Sequence, residues 1–101
     1  MTQAANLAGT GICVAWVRYN GTTQTVLSSY NVSSVTYSGT GLYIVNLTNS
    51  LVDTNYAVTT GGGGVVDWGT TTLTSNSFNV RNFNDAGTFF NTATVSVSVF
   101  R

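Results

Sequence analysis

An all-β fold, a small antiparallel β-sandwich of jelly-roll-like type, is what this sequence predicts, and three observations predict it. Val95, Val97 and Val99 alternate with Thr94, Ser96 and Ser98, the period of a strand with one dry and one wet face. Turn-forming clusters of Asn, Gly and Ser recur at close spacing between short apolar runs. No stretch carries apolar residues at helical spacing, and Val, Thr, Asn and Gly are poor or indifferent helix formers.

Taken in chain order, Ile12 to Tyr19 is apolar at nearly every position, so this strand is expected to be covered on both faces. Asn20-Gly21 predicts a type I′ hairpin turn, whose central residues both take positive φ, with Thr25-Val26-Leu27 as the return strand. Tyr30 to Ser34 reads as a bend before a short strand around Val35-Thr36-Tyr37. Ser38 to Gly41 is a turn, Leu42 to Leu47 a strand, and Asn55 to Thr59 another. The run Gly61 to Gly64 reads as a hairpin tip or closely packed backbone. Thr72 to Phe83 holds a strand with Phe78 and Val80 on one face and Asn79 and Arg81 on the other. Roughly seven short strands of this kind make a sandwich or barrel. Residues 1–11 carry little apolar pattern and read as an extended N-terminal arm, with residues 12–101 as one domain.

Composition narrows the function. Of 101 residues, 6% are charged, against about 25% in ordinary soluble domains. Formal net charge is zero, so charge repulsion does little to keep free copies apart. Such a surface suits a chain packed against identical copies or a larger assembly. Three scattered arginines cannot track phosphates, which argues against nucleic acid as a partner. No apolar run approaches the length of a membrane span, and the first residues lack the pattern of a signal peptide. The single cysteine, Cys13, lies in an apolar strand and reads as a small hydrophobe.

Catalysis lacks its usual groups. Histidine, lysine and glutamate are absent, which removes the common general bases and any Ser–His or Cys–His arrangement. Asp53, Asp67 and Asp85 read as turn or strand-end hydrogen-bond acceptors, so no enzyme, no metal site and no cofactor is expected. The glycine run has neither the Lys-Ser/Thr nor the helix of a phosphate-binding loop. Trp68, beside Asp67 and the glycines, reads first as a core cap, then as an intersubunit anchor, then as part of a sugar-stacking platform. Trp16 is expected to anchor the core, and emptying its site would cost about 3–5 kcal/mol.

Four segments occur in order: Ala15-Trp16-Val17-Arg18-Tyr19-Asn20-Gly21, Ser29-Tyr30-Asn31-Val32-Ser33-Ser34-Val35-Thr36, Gly39-Thr40-Gly41 with Tyr43-Ile44-Val45-Asn46-Leu47, and Asp53-Thr54-Asn55-Tyr56-Ala57-Val58. With the closing Thr94 to Phe100 they resemble the head domain at the C-termini of bacteriophage tail fibre and tailspike proteins, over roughly residues 12–101. The resemblance implies a small β-sandwich, usually a homotrimer, carried on a virion and made for binding. Asn31 and Ser33 would fix the bend through nearby backbone groups, and Gly39 and Gly41 would let the chain reverse.

With a short N-terminal stretch in place of a shaft, the expectation is a stand-alone capsid decoration or cement protein, a trimer tying capsomers together. The major capsid protein or other virion proteins would be its partners, in a virion assembled in a bacterial cytoplasm. Thr2, Ala4, Ala5, Leu7 and Ala8 of the arm are the expected docking residues, through extended contacts with a neighbour. The alternative is a receptor-binding head recognising a host polysaccharide or protein, with Tyr37, Asp67 and Trp68 as surface-loop contacts.

Overall fold

The computed structural model of the protein describes residues 12–62, 66–67, 74–84 and 86–101, and the backbone alone at 62, 66 and 67. The arm residues Thr2, Ala4, Ala5, Leu7 and Ala8 lie outside the described residues, as does Trp68. Eight strands occur among the described residues: β1 (Cys13–Asn20), β2 (Thr25–Tyr30), β3 (Val32–Gly39), β4 (Leu42–Leu47), β5 (Ala57–Gly62), β6 (Val66–Asp67), β7 (Ser77–Asn82) and β8 (Val95–Phe100). They form two antiparallel sheets, β2-β1-β8-β5 (sheet A) and β3-β4-β7-β6 (sheet B). The first and last strands lie side by side in sheet A.

Period-two patterning explains which side chains meet. Val95, Val97 and Val99 of β8 are buried beside Tyr19, Val17 and Ala15 of β1, their partners in register. Tyr43 and Val45 of β4 are buried beside Val80 and Phe78 of β7. The two valine-rich faces close on each other, with Tyr19 against Tyr43 at 5.2 Å between ring centroids and Tyr56 edge-on to Phe78 at 6.1 Å. Burying a residue such as Phe78 or Val97 contributes about 1.5–3 kcal/mol each, and this shared core fastens sheet to sheet. Ile12 and Arg101 exchange backbone hydrogen bonds of 3.1 and 3.0 Å, which prolongs the β1–β8 ladder.

Trp16 is not the core anchor. It is 39% exposed on the outer face of sheet A, while Ala15, Val17 and Tyr19 point inward. Alternation along β1 allows only one set inside, and Ala15, Val17 and Tyr19 are the set in register with the buried β8 valines. Tyr19, Tyr43 and Phe78 are the largest fully buried side chains instead.

The first turn also departs from expectation. Neither Asn20 nor Gly21 has positive φ; the positive φ of the loop falls on Gln24, at 59°. Asn20 Oδ1 accepts from the backbone N–H groups of Thr22 and Thr23, and Gln24 Nε2 donates to the carbonyls of Gly21 and Thr22. The loop is therefore four residues long, and Gly21 is needed for space: an added Cβ would stand 2.5 Å from the Tyr43 hydroxyl oxygen. Positive φ is what Gly41 supplies, at 70°.

The expected bend narrows to Asn31, whose φ is 57°. Its Nδ2 donates to the Val14 carbonyl and its Oδ1 accepts from the Asn49 backbone N–H, so one side chain binds the ends of three segments. The chain then re-enters extended structure at once, because Val35 and Tyr37 continue in register over Val45 and Tyr43. Tyr37 thus lies on a strand rather than in a surface loop, and so does the backbone of Asp67, which pairs with Arg81. Gly61 and Gly62 are likewise strand residues, paired with Ser96 and Val95.

Candidate binding surface

The described charged groups do not converge. Asp53 receives two hydrogen bonds from the Arg101 guanidinium, the shorter from Nη2 at 2.7 Å. That pairing, with the Asn55 N–H as second donor, holds the Asp53 carboxyl below its ordinary pKa. A carboxylate so engaged is neither a poised acid nor a nucleophile. Among the described residues no three His, Cys, Asp or Glu stand together, and no helix is long and apolar enough to cross a membrane. Cys13 is half-buried, its Sγ within 3.3 Å of the Ala15 carbonyl.

What the surface offers is apolar area. On the outer face of sheet A, Tyr30 (57% exposed) is the register partner of Trp16, and Phe100 (40% exposed) lies at the end of β8. Trp16 faces Ser98 on its other side, and Ser98 shares a 3.0 Å hydroxyl contact with Thr59. Arg18 is the cation of this face, in register between Ser28 and Ser96. Its row is otherwise hydroxyl-lined, so the face combines three large aromatic rings with short polar groups.

Sheet B has a shallow depression of about 300 Å³ on its outer side, lined by Ser38, Leu42, Ile44, Asn79, Arg81 and Phe89. The Arg81 Nε lies buried there without a hydrogen-bond partner. Arg81 is in backbone register with Asp67 of β6.

Family models, curated proteins and solved structures were compared with the chain, and none matches.

Of the surface contacts expected from sequence, Tyr37 is at the surface. It is partly exposed on edge strand β3, its ring 5.7 Å from that of Tyr43, and its hydroxyl accepts from Asn91 Nδ2. Trp16 joins the surface it was expected to leave. Sequence reasoning missed Leu27, Tyr30 and Phe100. One signal was present: Arg18 stands two residues from Trp16 and so shares its face, and an arginine marks the wet side of a strand.

Proposed function

We propose that the chain is a non-enzymatic virion structural protein, a trimeric capsid decoration protein that holds its partners through the outer face of sheet A. The observation that carries this reading is the aromatic set Trp16, Tyr30 and Phe100, exposed on one sheet with Arg18 as its charge. Aromatic residues with few charges characterise the centres of protein–protein interfaces. The segments that resemble phage fibre heads support the virion setting. Within this fold they do structural work: Asn31 fixes the corner, Asp53 holds Arg101, and Tyr56 donates to the Thr74 carbonyl. They speak for a fold and leave the ligand to the surface. Binding to the assembled shell alone would stabilise it by mass action, with the major capsid protein as partner and the arm adding extended contacts.

A receptor-binding head is the second reading, and the Trp16–Tyr30 pair beside the Ser98 and Thr59 hydroxyls favours it, since a sugar ring stacks on aromatic faces and bonds to hydroxyls. Copy number separates the two: hundreds per virion for a decoration protein, a few tens or fewer for a fibre head.

The test uses shells that lack the protein. Wild type, the double variant Trp16→Ser with Tyr30→Ser, and a form without residues 2–10 are each added, and bound copies and heat resistance are measured. Both altered forms should keep the wild-type circular dichroism and melting profile yet fail to bind. Full occupancy by the double variant would remove the sheet face as the docking surface; full occupancy by the truncated form would remove the arm.

A further inference from the structure

Two strands that follow each other in sequence form one open side of the sandwich. Among the described residues β2 is the outer strand of sheet A and β3 the outer strand of sheet B, and each has a neighbouring strand on one side only. They meet at the Asn31 corner, so their free edges lie along the same side of the molecule. Every residue of β2 is exposed, and β3 is exposed or half-buried throughout. At about 3.4 Å per residue β3 alone runs about 27 Å.

Free edges are normally guarded by lysine, proline, inward-pointing charge or brevity, because unpaired N–H and C=O groups form a template for another strand. Neither strand contains a charged residue or a proline. Three register shifts interrupt these strands: one opposite Arg18 and Tyr19, which leaves Leu27 as the extra residue of β2, and two in β3, between Val32 and Ser34 and between Tyr37 and Gly39. Leu27 is 60% exposed and Tyr37 41%, with Val26 beside them. The core opens toward this side: Val26 is in register with buried Tyr19, and Tyr37 with buried Tyr43, yet both remain uncovered.

We infer that the β2–β3 edge is the surface by which copies of this chain associate, the three edges converging on the symmetry axis. The inference rests on the trimer reading above and names the surface that would build it. Charge selects the occupant. A cover carrying Lys, Arg, Asp or Glu would bury charge against a strip that holds no counter-charge, with nothing to offset the lost hydration. The same edge of a second copy brings Val26, Leu27 and Tyr37 and no charge at all. A closed ring of copies also ends strand pairing, which an open arrangement would propagate into fibres.

The experiment measures mass by sedimentation equilibrium at micromolar concentration for wild type, Leu27→Lys and Val52→Lys, with circular dichroism to verify folding. Leu27 is not part of the buried core, and Val52 is 81% exposed and belongs to neither strand, so it serves as the control. A folded Leu27→Lys with about threefold lower mass, and Val52→Lys at wild-type mass, is the expected result. If Leu27→Lys keeps the wild-type mass, the edge is not the interface while the trimer stands. A wild type that is monomeric throughout overturns both. Should Leu27→Lys not fold, amide hydrogen exchange on wild type replaces it. Slow exchange along both β2 and β3 is expected, and exchange of every second amide of these strands at unprotected rates overturns the inference.

Discussion

The hydroxyl of Tyr43 donates to the carbonyl of Gly21 across 2.7 Å, so a central strand of sheet B holds the first loop of sheet A. Asn91 Oδ1 lies 3.0 Å from the same hydroxyl and also accepts from the Gly41 N–H. A phenol has one proton to give, and the shorter contact has first claim on it. Tyr19, its ring neighbour, is fully buried with a hydroxyl that finds no partner. Two tyrosines in van der Waals contact therefore carry opposite balances.

Removing each hydroxyl tests this. Tyr43→Phe should lower stability by about 0.5–1.5 kcal/mol, because it strips the shorter of two bonds to the Gly21 carbonyl and leaves Gln24 Nε2 as the remaining side-chain donor. Tyr19→Phe should be neutral or raise stability by up to about 1 kcal/mol, since it removes a buried polar atom and keeps the ring. Urea unfolding of the two variants gives the ranking, and the reverse order would contradict it.

Gly21 is the loop's tightest point. A Cβ there would stand 2.5 Å from the Tyr43 hydroxyl oxygen and 2.6 Å from the Thr92 carbonyl oxygen. Gly21→Ala should cost about 1–3 kcal/mol through overpacking. Gly61→Ala is the control: nothing stands within 4 Å of its Cβ position, and the change should stay within about 0.5 kcal/mol. Equal melting temperatures for the two variants would mean that the loop yields without cost.

Side-chain size misleads about the core. Phe78 has no exposed surface, whereas Trp16 is on the outer face. Phe78→Ala should cost about 3–5 kcal/mol and leave much of the protein insoluble. Trp16→Ala should cost no more than about 1 kcal/mol, as surface substitutions do. A larger loss for Trp16 than for Phe78, measured on dissociated chains, would restore Trp16 as the core anchor.

Stability should decline at both ends of the pH scale, for different groups. Burial, reinforced by neighbouring Tyr37, pushes the Tyr43 pKa up to about 12, and burial also raises those of Tyr19 and Tyr56. An unfolded tyrosine titrates near 10, so these groups add stability in full below about pH 10 and lose it as pH climbs through their folded values. Asp53 has the opposite sign. Its pKa is held down by Arg101, so its contribution is present above about pH 3.9 and fades as pH falls through the folded value. Melting temperature against pH should therefore fall above about pH 10, and Asp53→Asn should flatten the acid limb alone. An unaltered acid limb in that variant would show that the Arg101 pair adds nothing.

The sequence by itself determined the fold class and the placement of the regular strands. Leu42 to Leu47 is legible as a strand though apolar at five of its six positions, and Val95 to Val99 announces its buried face by strict alternation, because a pleated strand sends successive side chains to opposite sides. Phe78 and Val80 were assignable to one face for the same reason. The tertiary structure alone decided what that alternation leaves open. Ile12 to Tyr19 is apolar on both faces, and its own pattern cannot say which side the core takes; packing on the β8 valines put Tyr19 inside and Trp16 outside. Gly21 looked like a turn residue, yet it is required by a tyrosine hydroxyl that sequence places twenty-two positions away. The open β2–β3 side was equally hidden. Whether a strand lies at an edge depends on sheet order, a relation among distant segments, and each segment's local pattern is the same with or without a neighbour.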